Sequence, residues 1–301
     1  MTFLSLSFLK KRFSGTQPFG PLSLLVRPPT LIPRPETEEW TLRLASLLQA
    51  TTQGPSPKFT SSNSIKLLDL CTGSGCIPLL LCHLLPPGHI RAIGVDVSSQ
   101  AVNLAHENSL RVAVQTPPLI GNNNSNINNI NNNDLGVNDF PNSDLPITSN
   151  TFQPVQENIL APGFNKRITA HDGPFDVITS NPPYIPQDEY DKLPTSVRDY
   201  EDHRALLGNP IAPDSDSLYA IPPYYRQRGL VFYVAIAKLL RIDHTNDNAH
   251  SLLKPGGIVV LEVGHDQAEE VQKILREYAG IQHTEVWKDF SGIDRVILGR
   301  T

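Results

Sequence analysis

Cysteine is scarce in this chain of 301 residues: Cys71, Cys76 and Cys82 are the only three. They form no C-x-x-C pair and have no histidines beside them at zinc spacing, which excludes a zinc site and a disulfide framework and leaves buried thiols in a reducing compartment. The nine histidines are spread singly, so no metal centre is expected. Long apolar runs are missing as well. A bilayer span needs roughly 18 apolar residues, and the best stretch, Gly229 to Leu240, contains Lys238 and is closed by Arg241. Nor is there an excess of positive charge: 25 basic residues face 30 acidic ones, for a net charge of −5. Scattered in this way, the basic residues provide no footprint for holding nucleic acid by its phosphates. Protein or small-molecule partners are favoured, and no internal repeat suggests a solenoid.

What is present is the balance of a globular protein, 39% hydrophobic and 18% charged, with 27 prolines. The length suits one large α/β domain with a small appendage. Residues 1–34 form the appendage, a stub with a hairpin, and 35–301 the main domain. The first 35 residues hold Lys10, Lys11, Arg12, Arg27 and Arg34 and no acid. That composition fits a mitochondrial targeting segment, with a cytoplasmic location as the alternative, although from Gln17 onward the chain already reads as folded.

The apolar stretches Leu22 to Val26 and Thr30 to Ile32 predict a hairpin or bent strand around Arg27-Pro28-Pro29. A helix follows from Pro35, with Glu36, Glu38 and Glu39 at its positive end and Trp40, Leu44, Leu47 and Leu48 on one face. After a polar linker, Thr51 to Ser64, the pattern becomes strand, loop, helix, repeated. Ile65 to Leu70 leads to a helix over Cys76 to Leu85, and Ile90 to Val95 leads through Asp96 to a helix capped by Ser98. Two such units predict a parallel sheet. Between about residues 115 and 150 the asparagine-rich run cannot bury enough apolar surface to offset its ordering entropy, so a disordered insertion is expected. Strands over Phe152 to Leu160 and Phe175 to Ser180 come next, then a long loop, Asn181 to Pro223, of the kind that serves as a lid. A helix over Gly229 to Arg241, a fifth strand over Gly256 to Val263, an amphipathic helix over Gln267 to Tyr278 and an antiparallel hairpin at the end complete the expected fold.

Two places carry chemistry. In Asp69-Leu70-Cys71-Thr72-Gly73-Ser74-Gly75, two glycines lie between a strand and a helix, where backbone must pass close to a ligand or take positive φ. Pro78 stands where a dinucleotide fingerprint would need its third glycine, which demotes nicotinamide. Asp96 ends the next strand, where a carboxylate can accept both ribose hydroxyls of a nucleoside; by itself it is equally a helix cap. The second place is Asn181-Pro182-Pro183-Tyr184, directly after a strand. Its prolines stiffen the segment and remove N–H donors. The Asn181 oxygen and the Pro182 carbonyl can therefore receive both hydrogens of a planar NH₂, with the Tyr184 ring as a flat face beside it. An amide nitrogen is a poor nucleophile because its lone pair is delocalised. Two acceptors oppose that delocalisation and aim the lone pair. The bland alternative is a proline-rich turn without a ligand.

The chain resembles the HemK-type protein-(glutamine-N5) methyltransferases of peptide chain release factors. The resemblance rests on Leu31-Ile32-Pro33-Arg34-Pro35-Glu36-Thr37-Glu38, Asp69 to Gly75, Asp96, Asn181 to Tyr184, Tyr200-Glu201 with Ala205-Leu206, Leu261-Glu262-Val263-Gly264 and Asp294-Arg295-Val296, and covers about Gln17 to the end apart from the insertion. It implies a seven-stranded, mostly parallel Rossmann-like methyltransferase sheet and S-adenosyl-L-methionine as cofactor. Asp69, Cys71, Thr72, Gly73, Ser74, Gly75, Asp96, Asn158, Asn181 and Thr37 would bind that cofactor, and Asn181, Pro182, Pro183 and Tyr184 would be catalytic. The substrate implied is the glutamine of a Gly-Gly-Gln loop in a release factor. Three departures stand out. Cys71 replaces a common glycine, which is tolerable if its φ is negative; Asn158 replaces the usual acid after the third strand; and the family's helical N-terminal domain is expected to be missing from the sequence or reduced to a short stub. Glu36 and Thr37 suit either a helix start or the methionine end of the cofactor, and Tyr200 and Glu201 either a lid or the ordering of a loop.

Two other functions compete. A DNA or RNA adenine- or cytosine-amino methyltransferase would use the same pair of acceptors, but needs a basic channel that is not evident. An inactive scaffold would not need the intact Gly73, Gly75, Asp96 and Asn181.

Overall fold

The computed structural model describes residues 15–52, 58–60, 63–114, 149–170, 173–210, 221–241 and 251–301. The described residues start with an antiparallel hairpin, β1 (Thr16–Phe19) and β2 (Leu22–Leu25). The expected partner of Leu22 to Val26 was Thr30 to Ile32. The pairing is instead with the preceding residues, since Pro28 and Pro29 lack the N–H groups to continue a ladder. Helix α1 (Pro35–Thr52) buries Trp40, Leu44 and Leu48 as the periodicity predicts.

The main sheet begins with β3 (Ile65–Leu70), followed by α2 (Cys76–Leu84), β4 (Ile90–Asp96) and α3 (Ser99–Arg111). Ser98 caps α3 through the N–H of Ala101, as expected. The asparagine-rich run lies outside the described residues up to 148. Asn150, predicted as part of the disordered insertion, is ordered and buried. Its Oδ1 accepts the N–H groups of His89 and Ile90 at 2.9 and 3.1 Å, and its Nδ2 donates to the carbonyls of Cys82 and Leu85. One amide thereby satisfies four backbone groups between α2 and β4.

Strand β5 (Thr151–Gln156) is shorter than the predicted Phe152 to Leu160, and a helix the sequence pattern did not signal, α4 (Phe164–Thr169), follows it. Next comes β6 (Phe175–Ser180). The described part of the long loop contains two single turns, α5 (Gln187–Tyr190) and α6 (Thr195–Arg198), and a 3₁₀ turn at His203–Ala205. A short helix that the pattern did not signal, α7 (Pro223–Gln227), precedes Gly229, and the helix expected over Gly229 to Arg241 is α8 (Val231–Leu240). Strand β7 (Leu253–Glu262) includes the predicted Lys254 to Gly257 turn, absorbed as a register shift opposite β6. Helix α9 (Ala268–Ile274) runs on into a wider turn, Leu275–Ala279, and the chain ends in the hairpin β8 (His283–Lys288) and β9 (Asp294–Arg300).

Seven strands pair in the order β5-β4-β3-β6-β7-β9-β8, parallel except for the β7–β9 and β8–β9 pairs. Alternation along β3 explains the two layers. Ile65 and Leu67 face the hairpin, α1 and α2, while Leu68 and Leu70 face α4, α8 and α9. Each fully buried leucine contributes about 1.5–3 kcal/mol. Chain order reverses between β3 and β6, because β3 leads outward to β4 on one side and β6 leads outward to β7 on the other. A crevice therefore opens at the carboxyl ends of these two strands, where both predicted motifs sit.

Candidate active site

The loop leaving β3 is shaped by three residues with left-handed backbone: Cys71 (φ 60°), Gly73 (φ 55°) and Gly75 (φ 79°). Cys71 therefore does not meet the condition for tolerating a side chain there; it holds a glycine conformation at some cost. At Gly73 a Cβ would meet nothing within 4 Å, so the space beside the backbone is open, whereas at Gly75 it would lie 3.0 Å from the Phe152 ring. Gly75 is thus needed for packing and Gly73 for access. The N–H of Gly73 donates to Asp96 Oδ2 and the N–H of Ser98 to Asp96 Oδ1, both at 2.9 Å. Burial pushes the Asp96 carboxyl above its usual range, and those two N–H groups pull it back. Behind the loop, Asp69 is fully buried and its carboxyl is pushed up to about 7, opposed by the hydroxyl of Thr179, which donates to it at 2.6 Å.

A cavity of about 520 Å³ fills the crevice, with Gly73, Asp96, Asn158, Asn181, Pro183 and Arg204 among its walls. Cys71 also reaches it. Asp69, Thr72 and Ser74 are buried beneath the loop, and Thr37 and Pro182 are buried too. Gly75 starts α2. The Asn158 Oδ1 accepts the N–H of Leu160 at 2.9 Å, so that side chain orders the wall after β5. Tyr184 does not present its ring to the cavity as expected: Gly264 lies against the ring edge, and the Tyr184 carbonyl accepts from Gln267 Nε2 at 2.9 Å. Glu201 and Asp202, in the described part of the long loop, are tied to the segment before α1. Arg34 pairs with Glu201 at 2.6 Å, the N–H of Asp202 donates to the Pro29 carbonyl, and Arg204 pairs with Asp202.

Beneath Asn181 lies a buried polar chain. Glu262 Oε2 accepts from Thr37 Oγ1 at 2.7 Å and from Trp40 Nε1 at 2.8 Å, and Asn181 Nδ2 donates to Thr37 Oγ1 at 3.3 Å. Burial raises the Glu262 carboxyl above its ordinary range. In the sequence Glu262 entered only as part of a motif, Gln267 only as the start of a helix, and Asp202 not at all. A carboxylate inside the apolar run Val259 to Val263 was the available signal for Glu262.

A mostly parallel sheet of this order, a glycine loop fastened to a carboxylate on the next strand, and Asn181 and Pro183 on the shared crevice define a Rossmann-like, S-adenosylmethionine-dependent methyltransferase. The chain belongs to the release factor glutamine methyltransferase family. It is 31% identical over 268 residues to the release factor glutamine methyltransferase of Thermodesulfovibrio yellowstonii, covering 89% of this chain and 67% of that protein. To the protein of the same name from Koribacter versatilis it is 28% identical over 287 residues, 95% of this chain and 72% of the relative. The crystal structure of the release factor-specific protein-(glutamine-N5) methyltransferase from Alicyclobacillus acidocaldarius superposes with a TM-score of 0.40 at 21% identity, covering 92% of this chain and 98% of that one. No family model matches the chain.

Proposed function

We propose that this protein methylates the side-chain amide nitrogen of a glutamine in a peptide chain release factor, the glutamine of a Gly-Gly-Gln loop, and so acts in translation termination. The observation that carries the reading is the meeting of Asn181 and Pro183 with Gly73 and Asp96 on one cavity, which brings a turn suited to a planar NH₂ beside a turn suited to a nucleoside. The residues fit S-adenosylmethionine. The open space at Gly73 lets a ligand approach backbone, and each Asp96 oxygen keeps lone-pair capacity for a ribose hydroxyl after its one backbone hydrogen bond. Asn158 and its neighbours would flank the base, and Cys71, Thr72, Ser74 and Gly75 would shape the loop.

Bound there, the cofactor supplies an electrophilic methyl group on a sulfonium. The protein does the rest by orientation. Asn181 Oδ1 and the Pro182 carbonyl hold the two amide hydrogens, Pro183 stiffens their spacing, and Tyr184, anchored against Gly264, fixes the end of the turn. The ties from Arg34 to Glu201 and from Asp202 to Pro29 would hold residues 201–204 beside the crevice and limit the access of water to it. The basic composition of the first 35 residues supports a mitochondrial location. Incubation with labelled S-adenosylmethionine and candidate release factors, followed by mass-spectrometric mapping, tests the function. Label on the glutamine supports it; label on other residues only, or none, refutes it.

A further inference from the structure

We infer that Glu262 and Thr37 form a positioning relay that sets which way round the Asn181 amide sits. The inference rests on the function proposed above and adds to it the device that orients its central acceptor. The Trp40 indole N–H can only donate, so Glu262 Oε2, which receives it, is an acceptor whether or not the acid carries a proton on its other oxygen. The single proton of the Thr37 hydroxyl is thereby drawn to Glu262, at 2.7 Å. Toward Asn181 the hydroxyl then offers only lone pairs. An amide turned with Oδ1 toward Thr37 would oppose oxygen to oxygen, whereas Nδ2 can donate, at 3.3 Å. The NH₂ is held inward, and Oδ1 is the atom left for the cavity.

The relay is itself held rigidly. Thr37 and Glu262 are each 2% exposed. The Thr41 hydroxyl donates to the Thr37 carbonyl at 2.6 Å, and the Tyr233 hydroxyl to the Glu262 carbonyl at 2.8 Å. Helix α1 and strand β7, 225 positions apart at these residues, are joined to the turn after β6 through one hydroxyl. Thr37 acts through Asn181 and is a positioning residue.

The test is single-turnover methyl transfer to a purified release factor, with cofactor titration and melting temperature for each variant. Thr37→Val should slow transfer about tenfold, the size of one lost orientational hydrogen bond. Cofactor affinity should change by less than about twofold, and Thr37→Ser should restore most of the rate. In an Asn181→Ala background, Thr37→Val should add nothing beyond about twofold, because both changes remove one function. A folded Thr37→Val protein with the full rate, or losses that multiply in the double variant, would overturn the relay. Absence of transfer by the wild type would instead refute the proposed function. The relay would then be read from hydrogen exchange of the Asn181 side-chain NH₂ by NMR, which should be faster in Thr37→Val; unchanged exchange would refute it independently.

Discussion

The N–H of Gly73 meets the carboxylate of Asp96 at 2.9 Å, so the loop leaving β3 is fastened to the tip of β4. The N–H of Ser98 occupies the other oxygen. Asp96 thus shapes the crevice, and in the proposed function its remaining lone pairs serve a ribose. Asp96→Ala should weaken S-adenosylmethionine binding by at least roughly tenfold, since hydrogen bonds to a charged group contribute about 1.5–3 kcal/mol each. Asp96→Asn should be nearly as harmful, because an amide NH₂ would be turned against one of the two backbone N–H donors. Calorimetry decides this, and unchanged affinity in either variant would remove Asp96 from the site.

Cys71 holds φ 60°, a conformation that costs an L-residue about 1–2 kcal/mol and glycine almost nothing. Comparing two variants that both lack the thiol isolates that backbone effect. Cys71→Gly should be more stable than Cys71→Ala by about 1 kcal/mol in urea titrations, the greater freedom of glycine in the unfolded chain offsetting part of the gain. A more stable alanine variant would show that the loop relaxes away from the left-handed region.

Asp69 gives a pH signature. Its carboxyl titrates at 3.8 in the unfolded chain and is pushed up to about 7 by burial in the fold. Between those values the folded protein keeps a proton that the unfolded chain has lost, so stability falls as pH rises through that window. The penalty is absent below the unfolded value and complete above about pH 7, where it reaches up to about 4 kcal/mol. Asp69→Asn, which retains an acceptor for Thr179, should therefore gain stability over wild type at pH 8 and little at pH 4. Equal differences at both pH values would show that Asp69 ionises normally.

How much of this could be read from residues alone depended on the range of the interaction. The alternation of β3, the cap at Ser98 and the apolar face of α1 are local, and each appears where the pattern puts it. The short helix α7 and the early end of β5 were missed because apolar runs do not reveal where tertiary contacts begin or end a segment. Asn150 was misjudged for a similar reason. Its composition matched the asparagine run before it, and only its distant partners Cys82, Leu85, His89 and Ile90 make it structural. At the site, residue types picked out part of the cavity's walls, Cys71, Gly73, Asp96, Asn158, Asn181 and Pro183. The buried link from Glu262 through Thr37 to Asn181 joins three segments far apart in the chain, and nothing in their spacing signals it.

Asn181 is the residue on which the proposed mechanism turns. If its Oδ1 accepts a hydrogen that becomes more acidic as the amide nitrogen attacks, the interaction strengthens toward the transition state and its loss acts there rather than on the bound cofactor. Asn181→Ala should cost about 10²–10³ in turnover, the scale of removing one preorganised polar contact, while cofactor affinity drops far less. The same acceptors should reject a release factor whose target glutamine is replaced by glutamate, because an ionised carboxylate has no N–H to offer and would set oxygen against Asn181 Oδ1 and the Pro182 carbonyl. Single-turnover transfer for wild type and Asn181→Ala, with cofactor titration alongside, measures both effects. Transfer by Asn181→Ala within about threefold of wild type would return Asn181-Pro182-Pro183-Tyr184 to a structural turn.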